Sequence, residues 1–140
     1  MQDIRTNALA IIKDSGRILA LKGEDGAKGE VFLRLLGGGI EFGETSLAAL
    51  NREFKEELGV SLKNQNLLSV VENVFEFNGI PGHEITFLYS AEIIEDSIKN
   101  TSKIKVLDSE NEKYAEWFEI KNIKEENIAV YPKEAKEFLD

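Results

Sequence analysis

Apolar residues recur with a period of two in some stretches of the chain and three to four in others, and the switches between them predict the element order. Residues 7–12 and 18–22 are β-rich runs parted by Lys13-Asp14-Ser15-Gly16-Arg17, which predicts a hairpin. A polar loop over residues 24–30 leads into the compact apolar run 31–36, a buried strand that Gly37, Gly38 and Gly39 are expected to break. Residues 45–58 are predicted to be helical: Thr45 is a good N-cap, Ala and Leu are strong helix formers, and Gly59 stands where a left-handed residue ends a helix. At about 100° per residue, Leu47, Leu50, Phe54 and Leu58 share one arc, the expected core face.

Residues 67–77 and 83–93 flank Asn78-Gly79-Ile80-Pro81-Gly82 and predict a second hairpin, with Ile85, Phe87, Tyr89, Ala91 and Ile93 on one side. Residues 96–112 are polar and are expected to form a long mobile loop. Residues 114–120 predict the last strand, and a helical pattern opening at Pro132 closes the chain through Phe138 and Leu139. With no repeat, linker or low-complexity tract, residues 1–140 are expected to form one domain.

Composition narrows the function classes. Forty-two per cent hydrophobic residues are enough to bury a core. The formal net charge is −9, with 17 basic and 26 acidic residues, and a chain so acidic lacks the clustered positive charge that long nucleic-acid tracks and anionic membranes require. The absence of cysteine excludes disulfides, thiolate zinc sites and cysteine nucleophiles. The apolar run at residues 8–12 is too short for a leader or a membrane span, so a soluble cytoplasmic protein is expected.

The candidate chemistry is carried by carboxylates. On the predicted helix Glu53, Glu56 and Glu57 fall at i, i+3 and i+4, on one wall beside the core arc. Alone such a run is an ordinary solvated face, but like charges at these spacings repel by a few tenths of a kcal/mol per pair, and a hard divalent cation would relieve them. Ala49, one turn earlier on the same wall, is expected to leave room for a ligand. The run does not stand alone: Arg52 precedes it, Glu44 stands at the helix entrance, and a glycine triplet lies before that. Glycine lets backbone approach a phosphate or metal closely.

Residues 38–60 read GGIEFGETSLAALNREFKEELGV and resemble the Nudix box. Gly38, Glu44, Arg52, Glu53, Phe54, Glu56, Glu57, Gly59 and Val60 meet its nine specified positions. The resemblance implies a Nudix-like, MutT-like α/β/α sandwich with a curved mixed sheet between helices. It also implies a pyrophosphohydrolase that uses Mg²⁺ or Mn²⁺ to cleave a nucleoside diphosphate linked to a moiety X. By the same resemblance Glu53, Glu56 and Glu57 are metal ligands, the Gly37 or Gly38 carbonyl completes the coordination, and Arg52 pairs with Glu44 to hold the helix against its entry loop. The chain departs in having Leu36 before the glycine pair where many members have proline, which is expected to loosen the loop.

The expected reaction is hydrolysis of a nucleoside triphosphate, plain or modified, to a monophosphate and pyrophosphate. ADP-ribose, nucleotide sugars and dinucleoside polyphosphates are the enzymatic alternatives, and a non-catalytic nucleotide-binding module is the other class. Glu53 is the first choice for the general base, with Glu110 and Glu112 as alternatives. Arg5, Lys22, Lys28 and Arg34 come from the only net-positive stretch and are candidates for phosphate contact. Glu84 joins them as a substrate-binding candidate beside His83, the single histidine. Of Tyr114, Trp117 and Phe118, at least one is expected in the core. The expected partner is a small phosphorylated nucleotide bound by a monomer or homodimer.

Overall fold

The computed structural model describes residues 2–107 and 111–140. Its strands are β1 (Arg5–Asp14), β2 (Arg17–Asp25), β3 (Glu30–Arg34), β4 (Leu36–Gly39), β5 (Leu62–Phe77), β6 (Ile80–Ile93), β7 (Lys103–Lys105), β8 (Tyr114–Glu119) and β9 (Ala129–Tyr131). Three helices, α1 (Ser46–Leu58), α2 (Asp96–Lys99) and α3 (Ile120–Glu125), and a 3₁₀ turn at Lys133–Phe138 complete the element order.

The expected first hairpin forms, but its strands separate at once. β1 pairs antiparallel with β2 only through Lys13↔Ile18 and Asp14↔Arg17. Beyond the turn β1 runs parallel to β6 and antiparallel to β4, while β2 lies between β3 and β8. The mixed sheet therefore splays into two wings, β5-β6-β1-β4 and β7-β8-β2-β3-β9.

Alternation along β1 sends its side chains to two cores. Ala8, Ala10 and Ile12 pack with Leu50, Phe54 and Leu58 of α1, whereas Leu9 and Ile11 pack with Ile123, Ala135 and Leu139 of α3 and the 3₁₀ turn. This is the expected sheet between helices. Phe54 is fully buried at the centre of the first core, where truncation to alanine would cost about 3–5 kcal/mol. Among the described residues no helix is long and apolar enough to cross a membrane.

The helix boundary is the expected one. Thr45 Oγ1 accepts from the Ala48 N–H at 3.1 Å, and Gly59 ends the helix at φ 67°. Its core face is shifted by a residue pair: Leu47 is 41% exposed, and Ala49 takes its place with no exposed surface. Ala49 thus leaves no room for a ligand, because the sheet fills that space.

Other expectations are corrected. The glycine triplet does not break the strand: Gly37, Gly38 and Gly39 lie within β4, opposite Leu9, Ala8 and Asn7. Gly37 adopts φ +141°, and a Cβ there would lie 2.0 Å from the Ala8 carbonyl oxygen. Leu36, the residue in place of proline, is the buried first residue of β4 rather than part of a loose loop. The second hairpin is longer and its turn tighter than expected. It closes on Asn78 and Gly79, both at positive φ, so Pro81 and Gly82 belong to β6.

Within residues 96–112, α2 and β7 stand where a bare loop was expected. Ile104 and Val106 supply a period-two signal that the surrounding lysines and acids obscured, and both are buried against the α1 core. Nor is β8 the last strand, since the short β9 pairs with β3.

Candidate functional site

Helix α1 presents Arg52, Glu53, Glu56 and Glu57 beside β4 and its following loop. Arg52 organises this corner. Its Nε and Nη2 donate to Glu44 Oε2 and Oε1 at 2.7 and 2.9 Å, a bidentate pair, and Nη2 also donates to the Gly39 carbonyl at 2.9 Å. Nη1 donates to Glu53 Oε1 at 2.9 Å and to Glu56 Oε2 at 3.3 Å. Glu44 Oε1 accepts the Glu41 N–H at 2.9 Å, so the ion pair ties helix, strand and loop together. Hydrogen bonds from Arg52 and from the Glu41 backbone pull the Glu44 carboxyl from an ordinary 4.5 down to about 2. Glu44 in turn raises the Arg52 guanidinium above its usual value.

Glu53 is seated under Gly38: a Cβ at that glycine would lie 2.4 Å from the Glu53 carboxyl carbon. Glycine is thus required here by close approach of side chain to backbone. Glu57, one turn on, is half-buried. Burial, then a hydrogen bond and charge repulsion from Glu53, push its carboxyl from 4.5 up to about 7, against the lowering charges of Arg34 and Lys113.

Two carboxyl groups that face each other so closely favour one negative charge over two. A hard divalent cation would remove that conflict, and carboxylate oxygen is the donor such ions take. Glu53 and Glu57 therefore fit a divalent ion. Glu56, half exposed and held by Arg52, does not join them, and among the described residues no three acidic or histidine side chains converge into a preformed metal cage.

A cavity of about 340 Å³ opens between the two wings of the sheet. Its aromatic walls come from distant strands. Phe32 of β3 lies over Gly23 of β2, and Phe75 of β5 lies over Gly82 of β6, each ring occupying space that a Cβ would fill. Tyr131 meets Phe32 edge-on at 4.9 Å and Phe77 meets it at 5.9 Å. Arg34 links this cavity to the carboxyl pair, since it lines the cavity and its charge also acts on Glu57.

The rim is fastened by Asp25, whose Oδ1 accepts the backbone N–H groups of Ala27, Lys28 and Asn78 at 3.0–3.2 Å. Asn78 Oδ1 accepts the Gly26 N–H at 2.8 Å, so the tips of the β2–β3 and β5–β6 hairpins are clasped together.

Of the substrate-contact candidates, Arg34, Lys28 and Glu84 line the cavity. Arg5 is exposed at the start of β1, and Lys22 is exposed on β2 opposite Leu33; neither lines it. Glu112 is exposed and accepts from the Tyr114 hydroxyl at 2.5 Å, while Glu110 lies outside the described residues. His83 is a half-buried strand residue opposite Val74. Trp117 and Phe118 pack on the two cores, and Tyr114 is exposed.

Sequence reasoning missed Phe32, Phe75, Tyr131 and Asp25. Phe32 and Phe75 cross Gly23 and Gly82, but in the sequence Gly23 stands between a strand run and a polar loop and Gly82 ends a turn, so neither glycine signals the crossing.

Comparison with known proteins covers nearly the whole chain. The family profile described as NUDIX domain matches residues 2–139. Among solved structures, the MutT NUDIX hydrolase from Burkholderia pseudomallei is 26% identical, with a TM-score of 0.62 and 86% of each chain covered. The mutator MutT protein from Bacillus halodurans is 22% identical, with a TM-score of 0.62, over 97% of this chain and 80% of that one. An ADP compounds hydrolase is 14% identical, with a TM-score of 0.65, over 99% of this chain and 71% of that one. The latter two carry the likeness of fold.

Proposed function

The chain belongs to the NUDIX domain family and is a hydrolase of phosphoanhydride bonds, and from that premise we propose that it cleaves a nucleoside triphosphate, plain or modified, to the monophosphate and pyrophosphate. The observation that carries this is the juxtaposition of a facing carboxyl pair, Glu53 and Glu57, with an aromatic-walled cavity through Arg34. Small nucleotides are the substrates of the family and a divalent cation its cofactor. Here the proposed ion is Mg²⁺ or Mn²⁺. Glu53 and Glu57 would hold it, with Glu56 available if Arg52 releases it and the Gly38 backbone close at hand.

When bound, such an ion neutralises charge gathering on the phosphoryl oxygens and lowers the pKa of bound water. The residues of the chain do the rest. Arg34 binds the phosphate chain at the mouth of the cavity, and Lys28 adds a second positive charge at the rim. Phe75 and Phe32 hold a planar base and exclude water around it.

Glu53 is the proposed proton acceptor for the attacking water. Arg52 Nη1 fixes its orientation from one side and Gly38 roofs it, so its carboxyl is the better positioned of the pair. Arg52 and Glu44 are positioning residues that set the approach of α1 to β4.

The cavity's volume, about 340 Å³, is near the lower end of small-molecule sites, which favours a mononucleotide substrate over a dinucleoside polyphosphate. The test is a panel of nucleoside triphosphates, ADP-ribose, a nucleotide sugar and diadenosine polyphosphates, with Mg²⁺, with Mn²⁺ and with chelator, and with products identified. Monophosphate plus pyrophosphate from triphosphates, abolished by chelator, supports the proposal. Preference for ADP-ribose or a nucleotide sugar would replace it.

A further inference from the structure

The β7–β8 ladder continues one step past its strands. Lys105 stands opposite Tyr114, and at the next position the Val106 N–H donates to the Lys113 carbonyl at 2.9 Å, so Lys113 keeps the same register. The adjacent Leu107 N–H donates to the Glu57 carbonyl at 2.7 Å, which fastens this end of the ladder to the last turn of α1. Alternation places Lys113 on the face of Ala115 and Trp117, both of which pack on the α1 core.

Arg34 lies on that face as well. Leu21 of β2 stands opposite Arg34 on one side and Ala115 on the other, and it too packs on the α1 core. Arg34 and Lys113 are therefore two strand spacings apart across the sheet and two residues apart along it, about 12 Å between backbones. Both charges bear on Glu57, which lies between them.

The other cation at this corner is spent. Arg52 already donates from all three guanidinium nitrogens to Glu44, Glu53, Glu56 and the Gly39 carbonyl. Lys113 is exposed, and among the described residues its ammonium has neither hydrogen bond nor ion pair. In a chain of net charge −9, a free ammonium beside the carboxyl wall is a group with an anion to meet.

We infer that Lys113 is a substrate-binding residue that grips the terminal phosphate and so selects a nucleoside triphosphate over the diphosphate. The inference rests on the triphosphate reading above and assigns the far end of that substrate. With the nucleoside in the cavity, the phosphate chain passes Arg34 and crosses the carboxyl pair, and its last group points toward Lys113. The phosphates near Arg34 are common to di- and triphosphate, so only the third can tell them apart. An ammonium on a flexible stem suits that end, as a compact charge that follows a freely rotating group.

The deciding experiment measures kcat and KM, in excess Mg²⁺, for the best-cleaved nucleoside triphosphate and the matching diphosphate. It compares wild type with Lys113→Met, Lys113→Arg and Lys105→Met, and calorimetry adds the affinity of each for pyrophosphate. In Lys113→Met the triphosphate KM is expected to rise about tenfold with kcat little changed, since one charge-assisted hydrogen bond is worth about that factor. The diphosphate should change less than twofold, and pyrophosphate should bind about tenfold more weakly. Lys113→Arg should stay within a few fold of wild type. Lys105→Met removes an equal charge from the opposite face of the ladder and should have no effect.

Equal loss for both substrates, unchanged pyrophosphate affinity, or the same response in Lys105→Met would overturn the inference while leaving the triphosphate reading intact. A wild type that cleaves ADP-ribose or a nucleotide sugar but no triphosphate would overturn both. An exposed lysine is replaced at little cost to stability, so the variants remain folded for the comparison.

Discussion

The two halves of the site are built on opposite principles. On α1 and its entry loop the site is held by local contacts: Glu44 and Arg52 clasp each other, Glu53 is steered by Arg52, and Glu57 is pressed against Glu53. All four lie within fourteen residues of sequence, and one helix with its entry loop is enough to bring them together. In the cavity Phe32, Phe75, Glu84 and Tyr131 come from four strands in two wings of the sheet, which only long-range pairing brings together. A charged wall set by local spacing is suited to chemistry common to many substrates, whereas a cavity assembled from distant strands is suited to telling one substrate from another.

The sharpest way to separate the halves is Glu57→Gln. It removes a proposed cation ligand and the like-charge conflict together, so kcat should fall by about two to three orders of magnitude while thermal unfolding shows an intact fold. Turnover within a few fold of wild type would detach the helix wall from catalysis.

Gly38→Ala should come next, since its Cβ would occupy the space of the Glu53 carboxyl and force that group aside. A drop of roughly tenfold to a hundredfold in kcat with little change in KM is expected, as misplaced reacting groups cost rate rather than binding. Equal damage to KM would mean that the cavity depends on this glycine too.

Phe75→Ala tests the other half. Losing a ring that walls the cavity should raise KM by about tenfold and leave kcat near wild type, because base stacking of this kind is worth about 1–3 kcal/mol. A fall confined to kcat would contradict the division between the halves.

The smallest effect concerns stability. The Glu44 carboxyl titrates near 2 in the folded chain against an ordinary 4.5, a lowered acid, so its contribution is complete above 4.5 and fades as pH falls toward 2. Denaturant unfolding of wild type and Glu44→Gln across that range should show a gap at neutral pH that closes in acid. A gap that widens in acid would show that the Arg52 pairing does not stabilise the fold.

How far each half was legible in the sequence follows from the same contrast. The α1 wall is specified by side-chain spacing on one helix, and the N-cap, the Gly59 stop and the Arg52–Glu44 pair stand as expected. Leu47 and Ala49 exchanged roles because helical periodicity gives an arc, not its angle to the sheet. The glycine triplet misled because glycine reads as a breaker, whereas here close packing against β1 demands it inside a strand. Residues 103–106 read as loop because lysines and acids surround only two apolar positions, both of which the α1 core needed.

By itself the sequence determined the helix, its carboxylate wall, the acidity of the chain, and the family. Those are local properties, set by neighbours a few residues apart and by charge count. Only the tertiary structure decided that Arg34 stands between wall and cavity while Arg5 and Lys22 stay outside, that Asp25 and Asn78 clasp two hairpin tips, and that Glu84 is buried. The physical reason is strand register: β1 leaves β2 after two residue pairs and joins β6 in parallel, and that long-range choice creates the space between the wings.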